Sequence, residues 1–361
     1  MPRVGARLLT LGVSLGAVLA LAPSCSSKST SKPCTPGGDG SYLNAAYDEL
    51  ASYCMVSIEN GKVVPSSGAV IYELNTPLFS DYATKVRTVW LPAGTSATYA
   101  SDGVFDFPVG AIITKSFGFP KDVRDSASPV TWVETRVMLR AAEGWKAVSY
   151  QWDDAQSSAK QKPGGTVVPI DFIDARGTAA HASYLLPSIN QCPKCHDNGG
   201  RLLPIGPRAA QLNRDDQLAR WSAMGLVTGA PSSDKAPRLP VWDDAASGTP
   251  SDRARAYLDG NCAYCHSAGG EARTTGLFLS MAETDPTHLG VCKPPVAAGR
   301  ATSNLLYDIV PGKPDESIVV YRMQATEPSV AMPELGRSIV HTEAVALVRQ
   351  WIEGLPGTCS P

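Results

Sequence analysis

The sequence predicts an α+β fold in which an N-terminal antiparallel β domain, residues 41–170, precedes a mainly α region. Apolar and polar residues alternate in short runs such as 86–91 and 131–140, as they do in half-buried strands. Apolar residues instead recur at helical spacing over 342–352, near the C-terminus. The chain therefore changes secondary-structure type part-way along its length.

The β domain begins after a short helix-like segment, 42–52. Residues 86–91 end at Pro92, and a second run follows at 111–117. Residues 131–140 and 145–152 are separated by the turn Glu143-Gly144, which predicts a hairpin. We expect a sandwich or barrel of short strands, with its aromatic residues in core and edge packing.

Helix signals dominate the rest of the chain. Residues 171–245 hold one helical stretch, 215–224, and residues 246–361 form a self-contained unit. Ser251 is a candidate N-cap for a helix over 252–259. A final amphipathic helix starts at Thr342 and ends at Gly354.

The N-terminus predicts export. Arg3 and Arg7 precede an apolar run, 8–22, of signal-peptide length, so residues 1–25 form the predicted signal peptide. The residues up to Cys25 resemble a bacterial lipobox, although Ala22 stands where Leu is preferred. An ordinary cleavage site nearby is the alternative.

A lipidated Cys25 would attach the protein to a membrane through the polar linker 26–40. The predicted location is the periplasm or the outer membrane, as a lipoprotein. A net charge of −2, with 18% charged residues, gives no reason to expect a nucleic-acid partner.

Two C-x-x-C-H motifs dominate the chemistry: Cys192, Cys195 and His196 form the first, and Cys262, Cys265 and His266 form the second. This is the attachment signature of haem c, in which two thiols join the porphyrin and the histidine becomes the proximal iron ligand. We therefore expect two haem c groups.

A four-cysteine zinc site and a thioredoxin-like dithiol are the alternatives. Zinc ribbons separate their cysteine pairs by about 15–20 residues, far less than here. Neither alternative explains a histidine directly after each pair, in a chain with only 5 histidines.

The remaining cysteines suit an oxidising compartment. Nine cysteines, less four for haem and one for lipid, leave Cys34, Cys54, Cys292 and Cys359. Three pairings are open to them, and Cys34 with Cys54 and Cys292 with Cys359 is the one we favour.

Met332-Pro333 is typical of a distal haem ligand, because a thioether is a soft, neutral donor to iron. Met323, Met281 and His288 compete for this role. Arg322 could pair with a haem propionate, and we expect His341 to face solvent.

Residues 251–357 resemble class I c-type cytochromes in their order of helix, C-x-x-C-H, Met-Pro and terminal helix. The resemblance implies that the first and last helices pack together, with His266 proximal and Met332 distal. It also implies a haem wall of Leu258, Leu347, Trp351 and Ile352. The β region followed by two motifs resembles an uncharacterised group of exported bacterial haem proteins.

The first motif has no Met-Pro after it. Met224 or His181 could supply its distal ligand, and an open or water-bound iron is the third possibility.

The leading functional hypothesis is a dihaem, lipid-anchored electron-transfer protein, with redox partner proteins that the sequence does not identify. The alternatives are a dihaem redox enzyme, peroxidase- or oxidase-like, that uses the haem at His196, and a haem-bearing binding module.

Overall fold

The structure is a computed structural model that describes residues 1–2, 34–296 and 299–360. The predicted signal peptide, the lipobox-like Cys25 and residues 26–33 of the linker lie outside the described residues. Cys34–Pro361 form one compact unit. The predicted domain boundaries at 170/171 and 245/246 both fall inside this unit, and the first of them falls within a strand.

The described residues form fourteen strands. In chain order they are β1 Val56–Glu59, β2 Lys62–Pro65, β3 Val70–Ile71, β4 Thr84–Trp90, β5 Ala97–Thr98, β6 Ile112–Pro120, β7 Val130–Ala141, β8 Gly144–Trp152, β9 Ala159–Gln161, β10 Thr166–Ile173, β11 Ala179–Leu186, β12 Asp197–Asn198, β13 Arg201–Leu202 and β14 Val227–Thr228.

One sheet dominates the β region. Strands β3, β4, β6, β7, β8 and β9 are neighbours in that order, and every neighbouring pair is antiparallel. The predicted hairpin is confirmed as β7–β8, in which Ala141 pairs with Gly144. The sheet is open, with β3 and β9 at its edges, so it does not close into a barrel. The β10–β11 hairpin packs against it, with Phe172 and Tyr184 in one buried cluster with Phe117.

Residue alternation along the strands gives the sheet two different faces. Val89, Ile113 and Met138 are cross-strand neighbours on one face and belong to one buried cluster. Val137 and Val148, paired on the other face, pack with the N-terminal segment that contains Tyr42 and Tyr53. The predicted helix at 42–52 is absent: this segment contains only the short 3-10 turns Ser41–Leu43 and Leu50–Tyr53.

Six α-helices lie in the described residues: α1 Cys192–His196, α2 Ala209–Leu212, α3 Gln217–Ala223, α4 Pro250–Asn261, α5 Ile318–Gln324 and α6 Thr342–Glu353. The chain is therefore of mixed α+β class, as predicted. No helix of the described residues is long and apolar enough to cross a membrane.

Helices α4 and α6 pack together around a buried core that includes Leu258, Leu347 and Trp351. The N-cap of α4 is Thr249 and not Ser251. Thr249 and Asp252 form a reciprocal capping box. Pro250 suits the first helical position, because the backbone N–H that proline lacks has no hydrogen-bond partner within the helix there.

The β region and the C-terminal helices share buried contacts. His341, expected to face solvent, is only 9% exposed, so that expectation is wrong. Its ring stacks on Phe79 at 4.0 Å between centroids and also meets Trp242 and Tyr257. Phe79, in the loop before β4, therefore covers the His341 ring. The sequence around α6 alone gives no sign of this contact.

The two favoured disulfides, Cys34–Cys54 and Cys292–Cys359, are confirmed. The first of them ties residues 34–40, assigned to the linker from the sequence, to the compact unit. Within that stretch Pro36 is buried, and the N–H of Gly37 donates to the carbonyl of Tyr53 at 2.9 Å.

Asp81 joins the β region to the loop before α6. It is 1% exposed, and its carboxylate accepts from the N–H of Ser338 at 2.7 Å, the N–H of Ile339 at 3.1 Å and the Ser338 hydroxyl at 3.0 Å. Desolvation raises the pKa of Asp81, and the hydrogen bonds oppose that shift.

We predict that Asp81→Ala lowers the free energy of unfolding by about 2 kcal/mol, because two backbone donors lose their acceptor. Asp81→Asn should cost less, since it keeps one acceptor and tolerates the φ of +51°. Denaturant titration measures both variants, with exposed Asp154→Ala as the control. Equal stability of Asp81→Ala and the wild type would contradict this role.

Candidate functional site

The first motif lies on the one-turn helix α1, and a tight hairpin follows it directly. Gly199 and Gly200 have φ of +62° and +81° and join β12 to β13. Two consecutive positive φ values suit a two-residue hairpin turn, and glycine adopts them without strain. The hairpin brings Leu203 back beside His196.

Leu203 fixes the His196 side chain. The N–H of Leu203 donates to the His196 carbonyl at 2.8 Å, and the Nδ1 of His196 lies 2.7 Å from the Leu203 carbonyl. Because a carbonyl only accepts, Nδ1 carries the proton of the neutral ring. The Nε2 lone pair is left for another partner, which is the usual arrangement of a metal-ligating histidine.

Electrostatics keep this imidazole neutral. Burial lowers the pKa of His196 to about 4. The bond to Leu203 opposes this shift, and the charges of Arg136 and Lys115 add to it. A neutral ring is the form that binds iron.

The second motif starts where α4 ends, with Cys262 as the C-cap of that helix. The His266 carbonyl accepts from the N–H of Leu279 at 2.9 Å, which parallels the bond between His196 and Leu203. Burial lowers the pKa of His266 to about 4, and the Leu277 carbonyl partly opposes this. Its Nδ1 is buried without a hydrogen-bond partner in regular geometry among the described residues.

The two motifs lie in direct contact. The Cys265 thiol donates to the Lys194 carbonyl at 3.2 Å. The Cys195 and Cys265 thiols are close enough for each to be the main influence on the pKa of the other. The segments after the motifs also meet, since the N–H of Gly199 donates to the Gly269 carbonyl at 3.0 Å.

A pocket opens beside the second motif. Its cavity volume is about 180 Å³, and it is open to solvent. The lining is mainly apolar and includes residues of both motifs, namely Lys194, Cys195, Leu258, Cys262, Cys265, His266, Leu277, Leu279, Ile318, Val319, Arg322, Met323, Met332, Pro333 and Glu334.

Of the candidates for a distal ligand, Met332 and Met323 line this pocket together with His266. Met281 and His288 are not among its lining residues. Of the expected haem wall only Leu258 lines the pocket, whereas Leu347, Trp351 and Ile352 lie in the core between α4 and α6.

The backbone of Met332 is held on both sides. Its N–H donates to the Arg322 carbonyl at 2.9 Å, and its carbonyl accepts from Arg337 Nε at 3.0 Å and Nη2 at 2.7 Å. Next to it, Glu334 forms an ion pair with Lys194 of the first motif at 3.1 Å. The bonds to Met332 fix the loop that carries the thioether, and the ion pair links this loop to the first motif.

The thiols of the motifs differ in their electrostatics. Burial raises the pKa of Cys262 to about 12 and also raises that of Cys192, whereas the hydrogen bond with Cys265 lowers the pKa of Cys195. Within the described part of the chain, no three His, Cys, Asp or Glu side chains are grouped to hold a metal ion.

The sequence-based candidates for a ligand above His196 lie elsewhere. Met224 is 59% exposed at the end of α3. His181 is on β11 of an outlying hairpin, where its Nδ1 lies 2.8 Å from Asp171.

Three features of the site escaped sequence reasoning: the contact between the motifs, the Leu203 carbonyl and the clamp by Arg337. The Asn198-Gly199-Gly200 turn signalled the hairpin that positions Leu203. No local pattern marks Arg337, since its partners lie on α5 and in the loop after it.

No protein-family model, no curated protein and no solved structure matches this chain significantly. The site therefore has to be interpreted from its own geometry.

We predict that the free energy of unfolding falls as the pH drops from about 6.5 to about 4, in part because of His341. Burial lowers its pKa to about 4, so the unfolded chain takes up the proton first. The contribution of neutral His341 to the free energy of unfolding is fully present above about pH 6.5. Near pH 4 about 3 kcal/mol of this contribution is lost.

Denaturant midpoints at several pH values measure this slope. His341→Phe, which keeps the stacking on Phe79, should flatten it, and exposed His181→Phe serves as the control. An unchanged slope in His341→Phe would count against a buried neutral histidine.

Proposed function

We propose that this protein is a dihaem c-type cytochrome that transfers electrons. The observation that carries the proposal is that the two C-x-x-C-H motifs lie against each other, beside one pocket lined by both His266 and Met332.

Cys192, Cys195, Cys262 and Cys265 would hold two haem c groups covalently. The Nδ1 of His196 donates to the Leu203 carbonyl, as it does in metal-ligating histidines, which leaves its Nε2 for iron. His266 lines the pocket together with Met332. When bound, haem c supplies an iron that cycles between its ferric and ferrous states.

The chain's own residues would set the properties of the second site. Arg322 and Arg337 fix the backbone of Met332, so its sulfur is presented to the pocket from a rigid loop. A methionine ligand raises the reduction potential relative to a second histidine. Arg322 also lines the pocket, but its Nε donates to the Val330 carbonyl at 2.9 Å, which leaves its remaining donors for a carboxylate.

The contact between the motifs supports electron transfer within the chain. Cys195 and Lys194 of the first motif form part of the wall of the second pocket. Cys195 and Cys265 would therefore hold the two groups at neighbouring points of the chain, which would favour electron transfer between them. This arrangement, together with α4 packed on α6, supports the resemblance to class I c-type cytochromes over 251–357.

Export and lipid anchoring complete the proposal. Covalent haem attachment outside the bacterial cytoplasmic membrane needs the signal predicted at residues 1–25, and a lipidated Cys25 would keep the protein at the periplasmic or outer membrane.

A dihaem redox enzyme is the second candidate. Met224 is largely exposed and His181 is paired with Asp171, so neither supplies an evident distal ligand for an iron at His196. An iron with an open position could bind a small substrate, which favours this candidate. Low-spin spectra for both haems, without turnover of peroxide, would remove this candidate.

We predict that the exported full-length protein carries two covalent haems, and that Met332→Leu abolishes the methionine-ligated low-spin signal of one haem while the other is unchanged. Leu keeps the volume but lacks the sulfur donor. Absorption and EPR spectra measure the change, with exposed Met224→Leu as the control.

If Met332→Leu leaves the spectrum unaltered and Met323→Leu abolishes the signal, the ligand is Met323, which lines the same pocket. The absence of covalent haem in the wild type would overturn the proposed function.

A further inference from the structure

Three cations form a row across the main sheet. Arg87 on β4 pairs with Lys115 on β6, and Lys115 pairs with Arg136 on β7. Direct cross-strand partners project from the same face of a sheet. Lys85, two residues before Arg87, adds a fourth cation to this face.

This row costs stability. Like charges directly opposite on neighbouring strands repel, and burial adds to the cost. Burial and the neighbouring cations lower the pKa of Lys85 to about 7 and hold that of Lys115 well below its ordinary value. An arrangement that is unfavourable by itself calls for a compensating negative charge.

The acidic groups nearby compensate only part of the row. Glu134 is fully buried and accepts from Arg136 Nε and Nη2, both at 2.9 Å. Glu73 lies 3.8 Å from Arg87 and is half-exposed. Asp81 also acts on Lys85, but its carboxylate is already bound by the loop at Ser338.

Two cationic groups remain open. Among the described residues Lys115 forms no ion pair and no hydrogen bond, and its Nζ lies over the Phe117 ring at 4.8 Å. Arg87 is 3% exposed, yet its Nη2 is buried without a partner in the part of the chain that the structure describes. A buried guanidinium nitrogen without an acceptor is energetically unfavourable, so a water molecule or an anion bound there would stabilise it.

The row lies near the first motif. Leu202, on β13 just after that motif, packs against the apolar cluster that contains Ile113, and Ile113 lies two residues before Lys115 on the same face of the sheet. Along the strands, apolar clusters lie on both sides of the row, with Ile113 in one and Phe117 in the other. Half-buried Lys115 therefore lies between two apolar clusters.

We propose that Arg87, Lys115 and Arg136, with Lys85, form an anion-binding site beside the first motif that takes a small oxyanion or a carboxylate. Guanidinium groups match such anions with paired hydrogen bonds, and lysine adds a point charge. The anion site needs no haem, whereas its place next to a redox centre rests on the proposed function.

The same chemistry has two sources: a free oxyanion, or a propionate carboxylate of the haem attached at the first motif. A comparison of the haem-loaded chain with a chain that carries no haem at the first motif distinguishes these two sources.

Calorimetric titration of the haem-loaded full chain with inorganic phosphate, at constant ionic strength, tests the proposal. We expect one phosphate per chain, with an affinity at least about tenfold weaker in Lys115→Met and retained in Lys115→Arg. Lys115 has no acidic partner to leave unpaired. Exposed Lys160→Met, on β9 of the same sheet, is the matched control and should bind as the wild type does.

A Cys192→Ala/Cys195→Ala variant separates the two sources. If phosphate binds to this variant but not to the haem-loaded wild type, and if adding Lys115→Met abolishes that binding, the site exists and a haem propionate occupies it in the wild type. If the variant does not fold, the wild-type chain produced without haem attachment replaces it.

No binding to either form, or equal binding in Lys115→Met, would overturn the anion site. Haem content is measured separately, so a chain that binds phosphate but carries no haem would refute only the proposed function.

Discussion

The contact between the two C-x-x-C-H motifs is the constraint on which the rest of the structure depends. The Cys265 thiol bonds to the Lys194 carbonyl, and the Lys194 side chain reaches Glu334 beside Met332. The first motif thereby forms part of the wall of the pocket beside the second motif.

Each motif is supported by a different part of the fold. The main sheet packs near the first, where burial lowers the pKa of His196 and the charges of Arg136 and Lys115 add to this shift. Helices α4 and α5 line the apolar pocket of the second, and α6 packs on α4. Asp81 and His341 join the two parts, which explains why the chain from Cys34 onward is a single compact unit.

Local patterns predicted the elements and the chemistry, but not the contacts between them. Sequence patterns identified the four central strands of the main sheet, β4, β6, β7 and β8, but not its edge strands β3 and β9. Cysteine parity left three disulfide pairings open, and the one favoured is the one that is formed. The motif contact, the Leu203 carbonyl at His196 and the row through Lys115 depend on cross-strand register and on chain segments distant in sequence. His341 was misjudged for the same reason, because the residue that covers it, Phe79, comes from another element.

Peptide mapping by mass spectrometry of the exported full-length protein tests the central claim most directly. Two adjacent haem sites predict that the peptide with Cys192 and Cys195 and the peptide with Cys262 and Cys265 each carry one covalently bound haem. Unmodified thiols in these peptides, or a disulfide that links Cys195 to Cys265, would contradict it.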